Sequence, residues 1–324
     1  MQEHFYTTLG GAVDFSIGPL LTCAGNYDIV MTEGKRCPQG DLFDMTDTAN
    51  MIIDKVAETF AGVRGIDAVV LGGSRATGTA GRDSDIDIGI YYDAGTFDLD
   101  DFRGRAAFID DEHRRDAVTS PGEWGLWING GGWLRVGGMP VDFLFRDTAK
   151  VSSVIGQCLA GEITIDYQCG HPFGFVNSIY AGEAAACREL SCANERLREE
   201  KARLVPFPEK YRRAAMDKFL WECWFSAMCG RKSAGKGDVV YAAGSLFRCA
   251  VSLMQVLFAF NRMFMINEKG ALARLVNEKN VYLPDGFADD IITSFSAQDG
   301  ESIAVSFDKI ERQYRRIAEK AALE

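Results

Sequence analysis

Three aspartates are the residues of this chain best placed to do chemistry. Asp85 and Asp87 stand two apart at the head of a run, 85–92, that alternates carboxylate with apolar residues. Residues two apart on a strand point to one face. Asp142 lies inside a second apolar run, 141–145. Two carboxylates side by side repel, and one takes up a proton unless a cation intervenes. Hard oxygen ligands with open positions suit Mg²⁺ bound jointly with substrate phosphates. A third carboxylate on a neighbouring strand permits a second ion about 4 Å away. One ion would steady a leaving pyrophosphate while the other activates an attacking hydroxyl. Asp85, Asp87 and Asp142 are therefore the expected metal ligands and catalytic residues, Asp142 also helping to deprotonate the acceptor.

The turn ahead of Asp85 meets a second need. An apolar, β-branched run at 66–71 feeds Gly72, Gly73 and Ser74. Glycines let backbone N–H groups come close to phosphate oxygens, and the Ser74 hydroxyl adds a donor. Gly73 and Ser74 are the expected triphosphate cradle. Arg75 and Arg82 are expected to neutralise charge during transfer.

Each residue has a plainer reading. Strand-edge acids are often only solvated, Ser74 could merely cap a helix, and surface arginines are common. Two other motifs fail on a residue each. Gly73 and Gly78 bracket four residues as in a P-loop, but Thr79 stands where lysine is required. The turn is close to a hydrolase nucleophile elbow, but Ala76 replaces its last glycine. Neither explains three strand-borne acids.

Gly73-Ser74, ten residues, then Asp85-x-Asp87 resembles the G-S-x10-D-x-D signature of polymerase-β-like nucleotidyltransferases. The strand around Asp142 resembles that superfamily's third carboxylate, so the likeness covers about 50–147. The rest resembles the C-terminal domains of small-molecule nucleotidyltransferases, such as those that modify aminoglycosides. Segments 171–183 and 267–270 also resemble bacterial nucleotidyltransferase-domain proteins. The resemblance implies Mg²⁺-dependent transfer of a nucleoside monophosphate from an NTP, expected to be ATP, to a hydroxyl on a small molecule, releasing pyrophosphate. Two further readings stay open: adenylylation of a partner protein, as in antitoxin-like relatives, and a nucleotide-sensing module without turnover.

These residues need a scaffold. The periodicities predict an α/β (α+β) fold: an open mixed β-sheet flanked by helices, joined to an α-helical bundle-like domain. Helical spacing from residue 51, strands at 66–71, 85–92, 126–128, 133–136 and 139–145, and helices at 98–111 and 147–160 make up the first part. Asp147 is placed to cap the last of these. Later, 180–200, 209–229, 239–265 and 302–322 read as helices. The expected domains are a peripheral extension at 1–44, the nucleotidyltransferase domain at 45–165 and a helical acceptor-binding domain at 166–324. Met45 and Met51 are alternative starts, and the extension reads as a misassigned upstream segment. A cleft between domains is where acceptors would sit, and His171, Asp238, Tyr241 and Glu268 are its candidates. Capping and ion pairing are their plainer roles.

Composition narrows the partners. The 324 residues are 47% hydrophobic and 25% charged, a globular balance. A net charge of −11 disfavours a broad grip on nucleic acid, which needs a basic surface, and suits a cationic acceptor. Nine scattered cysteines without a C-x-x-C pair argue against a zinc or disulfide framework and for a reducing cytoplasm. The longest apolar stretch, 250–266, is interrupted by polar residues and reads as a buried helix rather than a membrane span. No secretory leader pattern opens the sequence.

Overall fold

The computed structural model describes residues 39–81, 84–297 and 299–323, with side chains from Thr48 onward. Arg82 and most of the expected 1–44 extension lie outside the described residues. The first helix, α1 (Gln39–Phe60), begins ahead of the expected border at residue 45. It puts Ile52, Ile53, Val56 and Phe60 on its buried side, the spacing of an amphipathic helix. There follow β1 (Ile66–Leu71), α2 (Gly73–Ala76), β2 (Ile86–Tyr92), α3 (Leu99–Ile109), α4 (Gly125–Ile128), β3 (Gly131–Val136), β4 (Met139–Asp147) and α5 (Thr148–Leu159). Two short strands, β5 (Ile165–Asp166) and β6 (Phe175–Val176), pair with each other and lead into α6 (Ser178–Ala186), β7 (Arg188–Cys192) and α7 (Arg196–Arg203). The remainder is helical: α8 (Glu209–Ala234), α9 (Val239–Phe260), α10 (Ala271–Asn277), α11 (Phe287–Ser294) and α12 (Gly300–Ala321).

Five strands form one mixed sheet in the order β3-β4-β2-β1-β7. β2 and β4 run parallel, and the other neighbours are antiparallel. Side chains alternate across it, so each strand serves two cores. Ile86, Ile88 and Ile90 of β2 and Val141, Phe143 and Phe145 of β4 face α1 and α3. There Phe60, Phe102, Phe143 and Phe145 interlock, with Phe60 and Phe102 centroids 4.4 Å apart and Phe102 and Phe145 5.3 Å apart. Each such buried ring contributes roughly 1.5–3 kcal/mol, which makes a stiff floor beneath β2 and β4. The opposite face carries Asp87, Gly89 and Tyr91 on β2 and Asp142, Leu144 and Arg146 on β4. Tyr91, with Ala68 and Val70 of β1, belongs to the core shared with α5, α6 and the helical region. The carboxylates thus point to the side that the later helices cover.

The expected cap holds: Asp147 caps α5 by accepting from the Ala149 and Lys150 N–H groups, and Asp98 caps α3 in the same way from the Asp101 N–H. α9 is long and apolar enough by composition to cross a bilayer, but 72% of its most apolar stretch is buried inside the protein, where α8 and α12 pack against it.

Two expectations fail. Residues 126–128 are a helical turn and not a strand. Gly125 (φ 90°) and Asn129 (φ 72°) flank the turn in left-handed conformations, and three apolar residues are too few to show a period. The single helix expected at 180–200 is α6, β7 and α7. β7 pairs antiparallel with β1 through Leu71 and Arg188 at one end and Ala68 and Cys192 at the other. The corner after it is pinned to β1: Asn194 donates to the buried Asp67 carboxylate, and Arg196 reaches Asp67 at 3.4 Å and Asp93 at 3.0 Å. The sheet therefore takes a strand from beyond the expected border at 165/166, and Gly40–Glu324 form one compact unit.

Candidate active site

The site is built on the turn between β1 and α2. The Gly72 N–H donates to the Asp87 carbonyl at 2.8 Å, extending the ladder to the end of β1. Gly73 then takes φ 57°, in the left-handed region. A Cβ at this position would sit 1.8 Å from Asp87 Oδ2, so no larger residue fits without moving the carboxylate. Gly73 and Ser74 open α2, and their N–H groups are the free first-turn donors of a helix start. Arg75 is engaged at home. It donates through Nε to the Asp85 carbonyl at 3.1 Å and through Nη2 to the Ser84 carbonyl at 2.6 Å. It thereby clips the loop that returns to β2 and sets where Asp85 stands. Arg82 lies outside the described residues.

The parallel pairing of β2 with β4 sets Asp87 directly opposite Asp142. Asp85 precedes β2 by one residue and is exposed, while Asp87 and Asp142 are half-buried. Burial, and then the Asp85 charge, push the Asp87 pKa up; Lys269 and Arg75 pull against this. Burial followed by the charges of Asp85 and Asp87 raises Asp142 to about 6. The three carboxylates thus feel one another. Among the described residues, no three acidic, cysteine or histidine groups converge as a ready-made cation cage. The donor set nonetheless fits Mg²⁺: all oxygen, mutually repelling and partly open, with Asp87 and Asp142 raised by burial and then by the neighbouring carboxylate charges, a conflict that a cation would relieve. It is the kind of site completed by substrate phosphates rather than closed by protein.

The covering side brings residues whose role the motif alone did not reveal. Glu183 of α6 and Arg146 of β4 form a bidentate pair at 2.7 and 2.8 Å, with the Arg146 side chain only 3% exposed. Burial opposes the arginine's charge, and the Glu183 field and hydrogen bonds overcome it, so its pKa rises above the ordinary value. Arg146 shares a face with Asp142, and the Glu183 charge reaches Asp87. The pair is a strut between sheet and helices on the carboxylate face, four residues along β4 from Asp142. Lys269 is the cation whose field reaches Asp87 first. It follows a turn in which Asn267 Oδ1 accepts the Lys269 N–H at 2.9 Å.

The four acceptor candidates do not gather in one place. His171 Nδ1 lies 3.2 Å from Glu268 Oε2, and Glu268 Oε1 accepts the Phe173 N–H at 3.0 Å. Burial would raise the Glu268 pKa, but these hydrogen bonds outweigh it and hold the group below its ordinary value. His171 and Glu268 thus form a half-hidden pair beside Lys269. Phe173 in turn lies under the Arg248 guanidinium at 5.3 Å, level with the middle of α9. Asp238 caps the start of α9 by accepting the Tyr241 N–H at 3.2 Å, and it precedes Arg248 by about 15 Å along the helix axis. Asp238 therefore serves the helix end, and exposed Tyr241 stands with it, apart from Glu268.

The nucleotidyltransferase domain family model matches residues 50–158, from α1 into α5, a segment that contains all three carboxylates and the Gly73 turn. Those residues form a nucleotidyltransferase domain, which makes the chain an enzyme of nucleotidyl transfer. Among solved structures, the chain is similar to the crystal structure of a nucleotidyltransferase-like protein from Exiguobacterium sibiricum 255-15, at 10% identity over 84% of this chain and 75% of that one, with a TM-score of 0.40. No curated protein matches the chain.

Proposed function

We propose that the nucleotidyltransferase domain moves a nucleoside monophosphate from ATP to a hydroxyl of a small-molecule acceptor, releasing pyrophosphate. The observation that carries this reading is the register of β2 and β4, which sets Asp87 opposite Asp142 with Asp85 at the strand's entry and Gly73 against the Asp87 carboxylate. In the reaction, the acceptor oxygen forms a bond to the α-phosphorus, the bond from that phosphorus to the bridging oxygen breaks, and pyrophosphate carries the electron pair away. Asp85, Asp87 and Asp142 would hold Mg²⁺, two ions being expected. Bound there, Mg²⁺ supplies positive charge against the phosphate oxygens.

The chain's own groups do the rest. The Gly73 and Ser74 N–H groups, with the Ser74 hydroxyl, donate to the triphosphate at the start of α2. Arg75 orients Asp85 by holding the Ser84 and Asp85 carbonyls. Lys269 adds a cation on the helical side. Asp142, opposite Asp87 on the same face of the sheet, is the carboxylate placed to help take the acceptor's proton. The buried Arg146–Glu183 strut keeps these groups from drifting as charge develops.

A small acceptor is supported by the approach of the helical region to the carboxylates, where the Lys269 charge reaches Asp87 and the His171–Glu268 pair stands next to Lys269. The net charge of −11 favours cationic acceptors over nucleic acid. The test is pyrophosphate release from each of the four NTPs with Mg²⁺ over a panel of hydroxyl acceptors, including aminoglycosides and candidate proteins. Asp87→Asn is the control. Release that requires both an acceptor and Asp87 supports the reading. Full activity in the Asp87→Asn protein would remove the site assignment, and modification of a protein alone would replace the small-molecule acceptor.

A further inference from the structure

The outer face of α8 is apolar where a surface helix should be polar. Its inner side is buried through Tyr211, Ala215, Phe219, Cys223 and Gly230, with Arg212 buried among them. On the opposite side stand Trp221 (57% exposed), Trp224 (50%), Phe225 (42%) and Met228 (49%). Their i, i+3, i+4, i+7 spacing is that of a second buried stripe. Trp221 and Phe225 are already stacked, with centroids 5.2 Å apart and planes 6° from parallel, so the patch is a preformed surface. A helix apolar on both sides is one that is covered on both sides. Beside the stripe, Trp224 and Met228 line an open groove against Ile310 and Tyr314 of α12, rimmed by Arg231, Glu311 and Arg315.

We infer that the stripe is a two-fold interface between two copies of this chain, with α8 packed antiparallel against α8. The sequence of the stripe is self-complementary in that arrangement. Trp224 faces Phe225 of the other copy, and Trp221 faces Met228, each pair symmetric about the point between residues 224 and 225. Asp217 and Lys232 share the same centre, both exposed on the same side of the helix. A two-fold axis there sets each Asp217 carboxylate against the other copy's Lys232 ammonium, twice per dimer. Such self-complementarity is what an isologous contact requires. Area is consistent too. An aromatic side chain buries 150–250 Å², so covering the exposed halves of these four side chains removes about 400 Å² per copy. That is half of the roughly 800 Å² per partner in a standard interface, with the groove walls of α12 available for the rest. Trp and Tyr anchors ringed by charged residues are also the usual make-up of an interface centre.

The experiment is the mass of the full chain by sedimentation equilibrium over a wide concentration range. The expected species has twice the 35.6 kDa chain mass. Trp224→Glu should weaken association by about 1,000-fold, because each homodimer loses two aromatic anchors of about 30-fold each, with an unchanged far-UV spectrum because the side chain is half exposed. The charge pair gives a test of register. Asp217→Lys and Lys232→Asp should each weaken self-association, because each homodimer then holds two like-charge contacts. An equimolar mixture of the two variants should form a heterodimer, because both contacts become opposite in sign. A wild-type chain at the single-chain mass throughout overturns the inference and leaves the stripe to a different partner. A dimer insensitive to Trp224→Glu, or a mixture no tighter than its components, overturns it as well.

Discussion

Replacing Asp142 with asparagine should strengthen the cation-free fold at alkaline pH while abolishing transfer. Burial and the fields of Asp85 and Asp87 hold the Asp142 carboxyl at about 6 rather than 3.8. A carboxyl raised in the folded state keeps its proton more tightly there than in the unfolded chain. Stability is then lost as pH rises from about 4 through about 6 and stays lost above that. Two pKa units correspond nominally to about 3 kcal/mol, but the group is half exposed, and solvent screening reduces this to about 1 kcal/mol. For a compact unit of this size, that is about 2 °C in Tm. In EDTA at pH 8, Asp142→Asn should therefore melt about 2 °C above the parent, and the gap should shrink as the pH falls toward 5.5. Adding Mg²⁺ with a non-hydrolysable ATP analogue should reverse the order, because the parent alone can use the third carboxylate. Thermal melts across this pH range, with and without Mg²⁺ and analogue, read all three effects. If Asp142→Asn melts below the parent in EDTA at pH 8, or if the gap ignores pH, the carboxylates are not in conflict and the cation argument fails.

Three other perturbations probe the same frame. Gly73→Ala combines a left-handed φ with a Cβ placed 1.8 Å from Asp87 Oδ2; it should destabilise by about 1–2 kcal/mol and cut kcat/KM at least tenfold, read by urea unfolding and turnover. Glu183→Ala leaves Arg146 buried and unpaired and should remove about 3 kcal/mol of stability, seen as a Tm lower by about 5 °C; a change near zero would mean the strut is relaxed or hydrated. Lys269→Ala should raise the NTP KM about tenfold, roughly the 1.4 kcal/mol of one exposed charge–phosphate contact, with a smaller effect on kcat; an unchanged KM would remove Lys269 from the nucleotide's surroundings.

Much of the catalytic half is legible in the residues, because its signals are local. Ile66–Leu71 is apolar at every position but Asp67, Asp85 and Asp87 alternate with isoleucines, and Asp98 and Asp147 stand at helix starts. The paired setting of Asp87 and Asp142 is implied by two apolar strands that each carry an acid, although only the parallel register fixes it. What the sequence hides is made by tertiary contact. β7 reads Arg-Glu-Leu-Ser-Cys, polar and short, and it is a strand only because β1 offers an unpaired edge. Glu183 and Lys269 lie far along the chain from Asp87, and only folding brings their charges to it. An acid before an apolar helix suits both capping and binding, and the contact that the fold gives Asp238 is the cap on α9.

The attachment of β7 to β1 has a bearing on how this protein can be taken apart. A fragment ending near residue 165 would keep every catalytic carboxylate yet strip the outer neighbour from β1, all six of whose residues are buried. It would expose a row of unpaired backbone groups on an apolar strand, the template for edge-to-edge aggregation. It would also free the Asp67 carboxylate from Asn194 and Arg196. The nucleotidyl-transfer core is thus not a detachable cassette. Under the proposed function, acceptor preference would be altered by substitution within the helical region, since exchanging that region wholesale at the end of α5 would carry away a piece of the sheet on which the carboxylates stand.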